Sequence, residues 1–366
     1  MLNFLNKPLI LAALFAATSG FAQDNTKPKL NKNCFDQGLE MPKNQTMASH
    51  SYPARQEVRG SCDVHVDGSY LYWQARQENM DLGLISNSIT PTTSPVIARV
   101  KHPDFSYKSG FKIGLGLNLD YDNWDVYSEY IWFHGTTNTS ISEPSPFVEG
   151  TSNVIFPSQG AHYEVFDENY YYTAKQSWDL KMDFADLSIA RSYYSGTMLT
   201  MRPYVGARGA WIRQTETDNY TGSEPALSIT NKTLSQGVGP RVGLNTNWLL
   251  GYGLRLTSKG GADILYTRYN YQFIQDSAVI GGASTINEHH NDFLRAHADL
   301  ELGLGWGSYF DNNNWYIDLS AAYGFQVFWD QNMFRNFSGS NAFGYSTAPN
   351  GNLYIHGLTG TLRFDF

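Results

Sequence analysis

The feature that most constrains this chain is an alternation of period two. Leu294, Ala296, Ala298, Leu300, Leu302, Leu304 and Trp306 interleave with Arg295, His297, Asp299, Glu301, Gly303 and Gly305. Successive side chains of a strand point to opposite faces, so one face here is wholly apolar and the other mostly ionisable. Phe111, Ile113, Leu115, Leu117 and Leu119 alternate in the same way with Lys112, Gly114, Gly116 and Asn118. So do Ile317, Leu319, Ala321, Tyr323, Phe325 and Val327 with Asp318, Ser320, Ala322, Gly324 and Gln326.

The pattern predicts ten strands, near 64–76, 108–121, 124–135, 177–193, 199–214, 236–249, 254–269, 292–306, 315–329 and 353–366. In the fourth, Trp178, Leu180 and Met182 share one parity while Leu187 and Ile189 share the other, which predicts a bulge near Phe184 and Ala185. Short links at 122–123, 195–198, 250–253 and 307–314 alternate with long ones at 77–107, 136–176, 215–235, 270–291 and 330–352. The expected fold is therefore all-β: a transmembrane antiparallel up-and-down barrel with long extracellular loops and short periplasmic turns.

Composition agrees. Charged residues are 16% of the 366, against about 25% in an average soluble domain, and aromatic residues reach 15%. A helical span needs roughly 20 apolar residues, and the one long apolar stretch, Pro8 to Ala17, is shorter. A net charge of -8 without a visible basic patch excludes a general nucleic-acid role.

Residues 1–22 read as a signal peptide, with Lys7, an apolar run and a small-x-small site at Gly20-Phe21-Ala22. Residues 23–62 read as a polar periplasmic leader and 63–366 as the barrel. Cys34 and Cys62 are the two cysteines. They allow one disulfide in an exported chain and are too few for a thiolate metal cluster.

The tryptophans divide between strand ends. Trp124, Trp248, Trp306 and Trp315 flank short turns, whereas Trp73, Trp132, Trp178, Trp211 and Trp329 lie toward long loops. Trp124, Trp132, Trp178, Trp211, Trp248, Trp306, Trp315 and Trp329 are the expected aromatic girdles, because indoles favour the boundary of hydrocarbon and headgroup. The alternation of Leu358, Leu362, Phe364 and Phe366 with Thr359, Thr361, Arg363 and Asp365 ends on a Phe. It resembles the signal by which barrel-assembly machinery receives its clients.

The segments Gly110 to Tyr127, Ser69 to Trp73 and Arg202 to Trp211 resemble recurrent segments of the Legionella-type and chlamydial-type MOMP-like pore-forming outer-membrane proteins. The resemblance covers most of the chain after Gly60. It implies a porin-like barrel in the bacterial outer membrane passing small hydrophilic solutes or ions. Its implied partners are membrane lipids, the assembly machinery and, in a homo-oligomer, further copies of the chain. Having only Cys34 and Cys62 departs from the cysteine-rich members and their crosslinked envelope network.

No phosphate-binding loop, His-Glu-x-x-His or Gly-x-Ser-x-Gly is present, and no catalytic residue, metal or cofactor is expected. The segment Glu288-His289-His290-Asn291-Asp292, with Asp330 or Asp276, is the one resemblance to a water-activating rim of omptin type. The expected pore lining is the charged face: Lys112, Asp125, Glu129, Arg202, Arg208, Arg241, Arg255, Lys259, Asp263, Arg295, His297, Asp299, Glu301 and Asp318. Eight strands leave an interior filled by side chains and sixteen an aqueous channel. Ten strands therefore leave open a narrow structural barrel or a loop-borne adhesin or receptor.

Overall fold

A computed structural model describes residues 63–89, 97–119, 123–148, 150–158, 170–222, 226–277, 282–338, 345–347 and 351–366, with Ala54, Gln56 and Val58. The signal peptide, most of the leader, Cys34 and Cys62 lie outside the described residues.

The ten expected strands are all present. They are β1 (Val64–Gln77), β2 (Tyr107–Asn118), β3 (Trp124–Ser142), β4 (Tyr171–Arg191), β5 (Leu199–Gly222), β6 (Leu227–Gly251), β7 (Leu254–Ser277), β8 (Gly282–Phe310), β9 (Trp315–Asn332) and β10 (Gly351–Asp365). Each pairs antiparallel with its sequence neighbour, and β1 pairs with β10, from His65 opposite Asp365 to Gln77 opposite Leu353. The sheet is thus closed, and its ladder bonds leave no barrel edge to be paired elsewhere.

Strands β5 to β8 run much further than their apolar alternation suggests. The long links expected at 215–235 and 270–291 are mostly strand, ending between Gly222 and Leu227 and between Ser277 and Gly282. Alternation continues there in polar residues: Gln214, Glu216, Asp218 and Tyr220 point inward while Arg213 and Asn219 are exposed.

The bulge expected at Phe184 and Ala185 is absent. The register of β4 with β3 and β5 runs unbroken through Phe184, opposite Ile131 and Ala210. What changes there is the lumen. Toward the long loops β4 packs into an apolar cluster, so Trp178, Leu180, Met182 and Phe184 point inward, buried to 2% exposure or less. Toward the short turns the interior is charged, so the apolar Ile189 faces out at 47% exposure.

The same inversion removes Trp178 from the girdle: it is 2% exposed and donates from Nε1 to Gln214 Oε1 at 3.1 Å. Trp248, Trp306, Trp315 and Trp329 are exposed on the outer wall, with Trp124, Trp132 and Trp211 half-buried. On β8 the outward apolar set runs from Leu294 to Trp306. Thirteen residues at about 3.3 Å each and a tilt of about 40° rise roughly 33 Å, close to the hydrocarbon thickness of a bilayer.

Candidate functional site

The lumen at the short-turn end is hollow and ionic. A cavity of about 750 Å³ is walled by Lys112, Arg202, Arg208, Arg241, Arg255, Lys259 and Arg363 against Asp67, Asp125, Glu129, Asp186, Asp299, Glu301 and Asp318, seven residues of each sign. Ala54 and Gln56 reach its mouth, where Tyr309 donates to Gln56 Oε1 at 2.9 Å.

Most of these charges are paired. Arg202 donates from Nε to Asp125 Oδ2 at 3.0 Å, and Arg255 pairs with Asp318. Arg208 lies 2.5 Å from Asp186 and 3.2 Å from Asp263. Arg241 lies 2.7 Å from Asp263 and 2.5 Å from Asp299. Lys112 on β2 reaches across to Glu301 on β8 at 2.8 Å. Charges this dry require such partners.

Glycines on the inner wall leave room for the large side chains to lie flat. A Cβ at Gly116 would run into the His65 ring, one at Gly243 into Tyr204, and one at Gly307 into the Tyr316 hydroxyl. With these groups against the wall, the middle of the vestibule stays free.

Toward the long loops the lumen is filled by side chains among the described residues. Phe184 of β4 stacks on Phe328 of β9, five strands away and across the barrel, with centroids 5.5 Å apart. Beyond this stack lies an apolar core that includes Trp73, Phe133, Trp178, Leu180, Ile212 and Phe273.

The first long connection caps the core. Its Met80, Leu82 and Ile85 are 1%, 0% and 3% exposed, and its short strand Gly83–Ser86 pairs with Ala98–Lys101 and Val154–Pro157. Gln176 Nε2 donates to the Met80 carbonyl at 3.3 Å and Tyr220 Oη to the Leu82 carbonyl at 2.6 Å.

The fourteen residues expected to line the lumen all lie on its face, but not all meet the vestibule. Asp263 and His297 are buried behind Arg208 and Arg241, with His297 Nδ1 2.8 Å from Asp263. Asp263, His297 and Asp299 have metal-ligand spacing, yet Arg208 and Arg241 already occupy their carboxylates. Arg295 lies elsewhere, packed on Phe293 and Tyr269.

Sequence reasoning missed His65, Asp67, Asp186 and Arg363. Their parity was a usable signal, since Asp67 alternates with Val66 and Arg363 with Leu362 and Phe364. The segment from Glu288 to Asp292 builds no reactive constellation among the described residues: Glu288 pairs with Arg335 at 2.6 Å and Asp292 with Arg268 at 2.9 Å.

A closed ten-stranded barrel with an apolar outer belt and a charged lumen defines an outer-membrane β-barrel protein. Residues 60–366 match the model of the Legionella pneumophila major outer membrane protein precursor family, and the chain belongs to that family. Its place is the bacterial outer membrane, in contact with its lipids.

No curated protein matches the sequence. Among solved structures, the chain is similar to the outer membrane protease OmpT of Escherichia coli, at 10% identity over 86% of this chain and 99% of that one, with a TM-score of 0.42. A Pseudomonas aeruginosa FadL homologue follows at 8% identity, covering 83% and 89%, with a TM-score of 0.27. The toluene transporter TodX of P. putida stands at 7%, 83%, 90% and 0.21.

Proposed function

We propose that this protein is a porin-like barrel with a closed outer mouth, passing small ions and hydrophilic solutes when the loop cap and the core beneath it part. The observation that carries this reading is the vestibule. A barrel serving only as a wall gains by filling its interior with apolar packing, because buried ion pairs contribute little over well-packed hydrophobic residues. Here the short-turn end of the lumen keeps a cavity of about 750 Å³ lined by seven charges of each sign. An apolar constriction in series with a charged vestibule is a gate that closes by excluding water.

The Phe184–Phe328 stack favours a second reading, a permanently occluded barrel acting as a wall or presenting its loops as adhesin or receptor. Planar-bilayer recording of the refolded protein separates the two. Discrete, salt-dependent conductance steps support the pore, and silence from protein with a strand-type circular dichroism spectrum and heat-modifiable gel mobility supports the occluded barrel.

No catalytic role is proposed for Glu288 to Asp292. Assembly through the C-terminal strand, pore lining by the vestibule charges and a signal peptide at 1–22 belong to the same proposal.

A further inference from the structure

On the outer wall, Trp132 of β3 and Trp211 of β5 flank Asp183 of β4 in one row of the ladder. The next outward row toward the long loops is His134, Lys181 and Arg213, directly opposite one another on the same three strands. Their neighbours along the strands, Phe133, Leu180, Met182, Ile212 and Gln214, are buried on the inner face, so these three face out. Arg213 is exposed and the Lys181 side chain is 42% exposed. Lys232 of β6, also exposed, stands opposite Thr215 and so diagonally across from Arg213.

Opposite residues of an antiparallel pair hold their Cβ atoms about 4.5–5.5 Å apart, diagonal ones lie about 7–8 Å apart, and like charges so placed repel. Two carboxylates offset part of this. Asp179 lies 3.1 Å from Lys181 and accepts from Thr136 Oγ1 at 3.0 Å. Asp183 is 5% exposed, accepts from Tyr130 Oη at 2.9 Å and lies 3.3 Å from His134 Nε2. Arg213 and Lys232 have no ion pair and no side-chain hydrogen bond among the described residues. The patch therefore keeps an excess of positive charge.

Its height says what meets it. Arg213 is two residues beyond Trp211, roughly 5 Å further out at about 3.3 Å per residue and a tilt of about 40°. The headgroup layer takes up about 5–8 Å on each side of the hydrocarbon, and indoles sit at the boundary between the two. We propose that Lys181, Arg213 and Lys232 hold the phosphate of an outer-leaflet lipid headgroup, with Trp132 and Trp211 against the acyl chains below. The guanidinium of Arg213 offers phosphate oxygens a planar fork and the two ammonium groups add point charges. An anion seated there also removes the repulsion between Lys181 and Arg213. The lumen takes no part, so the proposal stands whether or not the barrel conducts.

The test titrates the full refolded chain in non-ionic detergent with diphosphoryl lipid A, reading binding by native mass spectrometry and stability by melting temperature. The expected result is saturable binding with a raised melting temperature, both fading toward roughly 1 M salt, where the Debye length is about 3 Å. Each cation neutralised should weaken binding about fivefold, so Lys181→Gln with Arg213→Gln should weaken it about twenty-five-fold with heat-modifiable mobility kept. A double variant that binds as tightly as the wild type overturns the proposal. So does equal binding of a phosphate-free lipid with the same acyl chains, or an equal melting shift from inorganic phosphate alone. A dimer in lipid-free detergent that the double variant dissociates would assign the patch to a second copy of the chain and likewise overturn it. If the variant does not fold, the wild type decides, since lipid binding unchanged at high salt rules out a charge-held phosphate.

Discussion

Truncating Leu82 should lift the cap. Leu82 is 0% exposed beneath the outer mouth, whereas Leu84, on the short strand that follows it, is 39% exposed. Leu→Ala removes roughly three carbons, worth about 0.8 kcal/mol each, and leaves a void, so the cost falls in the range of about 2–5 kcal/mol. Taking about 3 kcal/mol, all of it lost from the docked state, the ratio of lifted to docked cap rises about a hundredfold, since 1.4 kcal/mol is a factor of ten. Leu84→Ala should change it by less than about a factor of three, in keeping with surface substitutions within about 0.5 kcal/mol.

A cysteine reports the population. Thr233, inward on β6 and 4% exposed, lies below the cap. In a background with Cys34 and Cys62 replaced by Ser, Thr233→Cys should react with a water-soluble maleimide at a rate proportional to the open fraction, provided closing is fast. Leu82→Ala should speed labelling about a hundredfold and Leu84→Ala hardly at all. Equal rates in the two variants, with both barrels folded, would refute the cap.

Phe184→Ala with Phe328→Ala should lower stability by about 3–5 kcal/mol per ring in denaturant titrations; if the rings form the inner barrier, it should also raise open-channel conductance, and unchanged conductance with lowered stability would place that barrier in the outer core. Lys259 is exposed within the vestibule, so Lys259→Gln should shift reversal potential toward cations and Asp299→Asn toward anions, most strongly at low salt, where screening is weakest. A cysteine at Lys259 should take water-soluble probes, and cysteines at Leu300 and Leu302, 47% and 54% exposed on the outer wall, only lipid-phase ones. Asp218, buried beside Glu216, has a raised folded value, so its stability penalty is absent below the unfolded carboxylate range, near 4, and grows as pH rises through that range toward the folded value. Asp218→Asn should abolish this dependence, and a wild type as stable at pH 8 as at pH 4 relative to the variant would contradict it.

Strand number, closure and the charged face were legible in the sequence because lipid and water impose opposite demands on alternate residues. The rule used to assign faces, apolar outward, holds only while the lumen is wet. At Trp178, Leu180 and Met182 the lumen is dry, so apolar side chains point inward and the parity looks like a bulge where the ladder is unbroken. Polar alternation beyond Gln214 hid the strand extensions for the converse reason: outside the bilayer the outer wall has no cause to be apolar. Cross-lumen partners such as Lys112 and Glu301, 189 residues apart, carry no local signal, since ten strands set their distance.

The overhang of β5 to β8 has a practical bearing. Around the outer mouth an antibody or phage meets the stiff sidewall of a sheet as well as loops, so recognition there includes pleated surface with fixed side-chain spacing. The links from Gly222 to Leu227 and from Ser277 to Gly282 join the far ends of laddered strands, so inserted sequence there falls outside the ladder. Those two links are where a foreign epitope or affinity tag can be displayed on the cell surface with the barrel left intact.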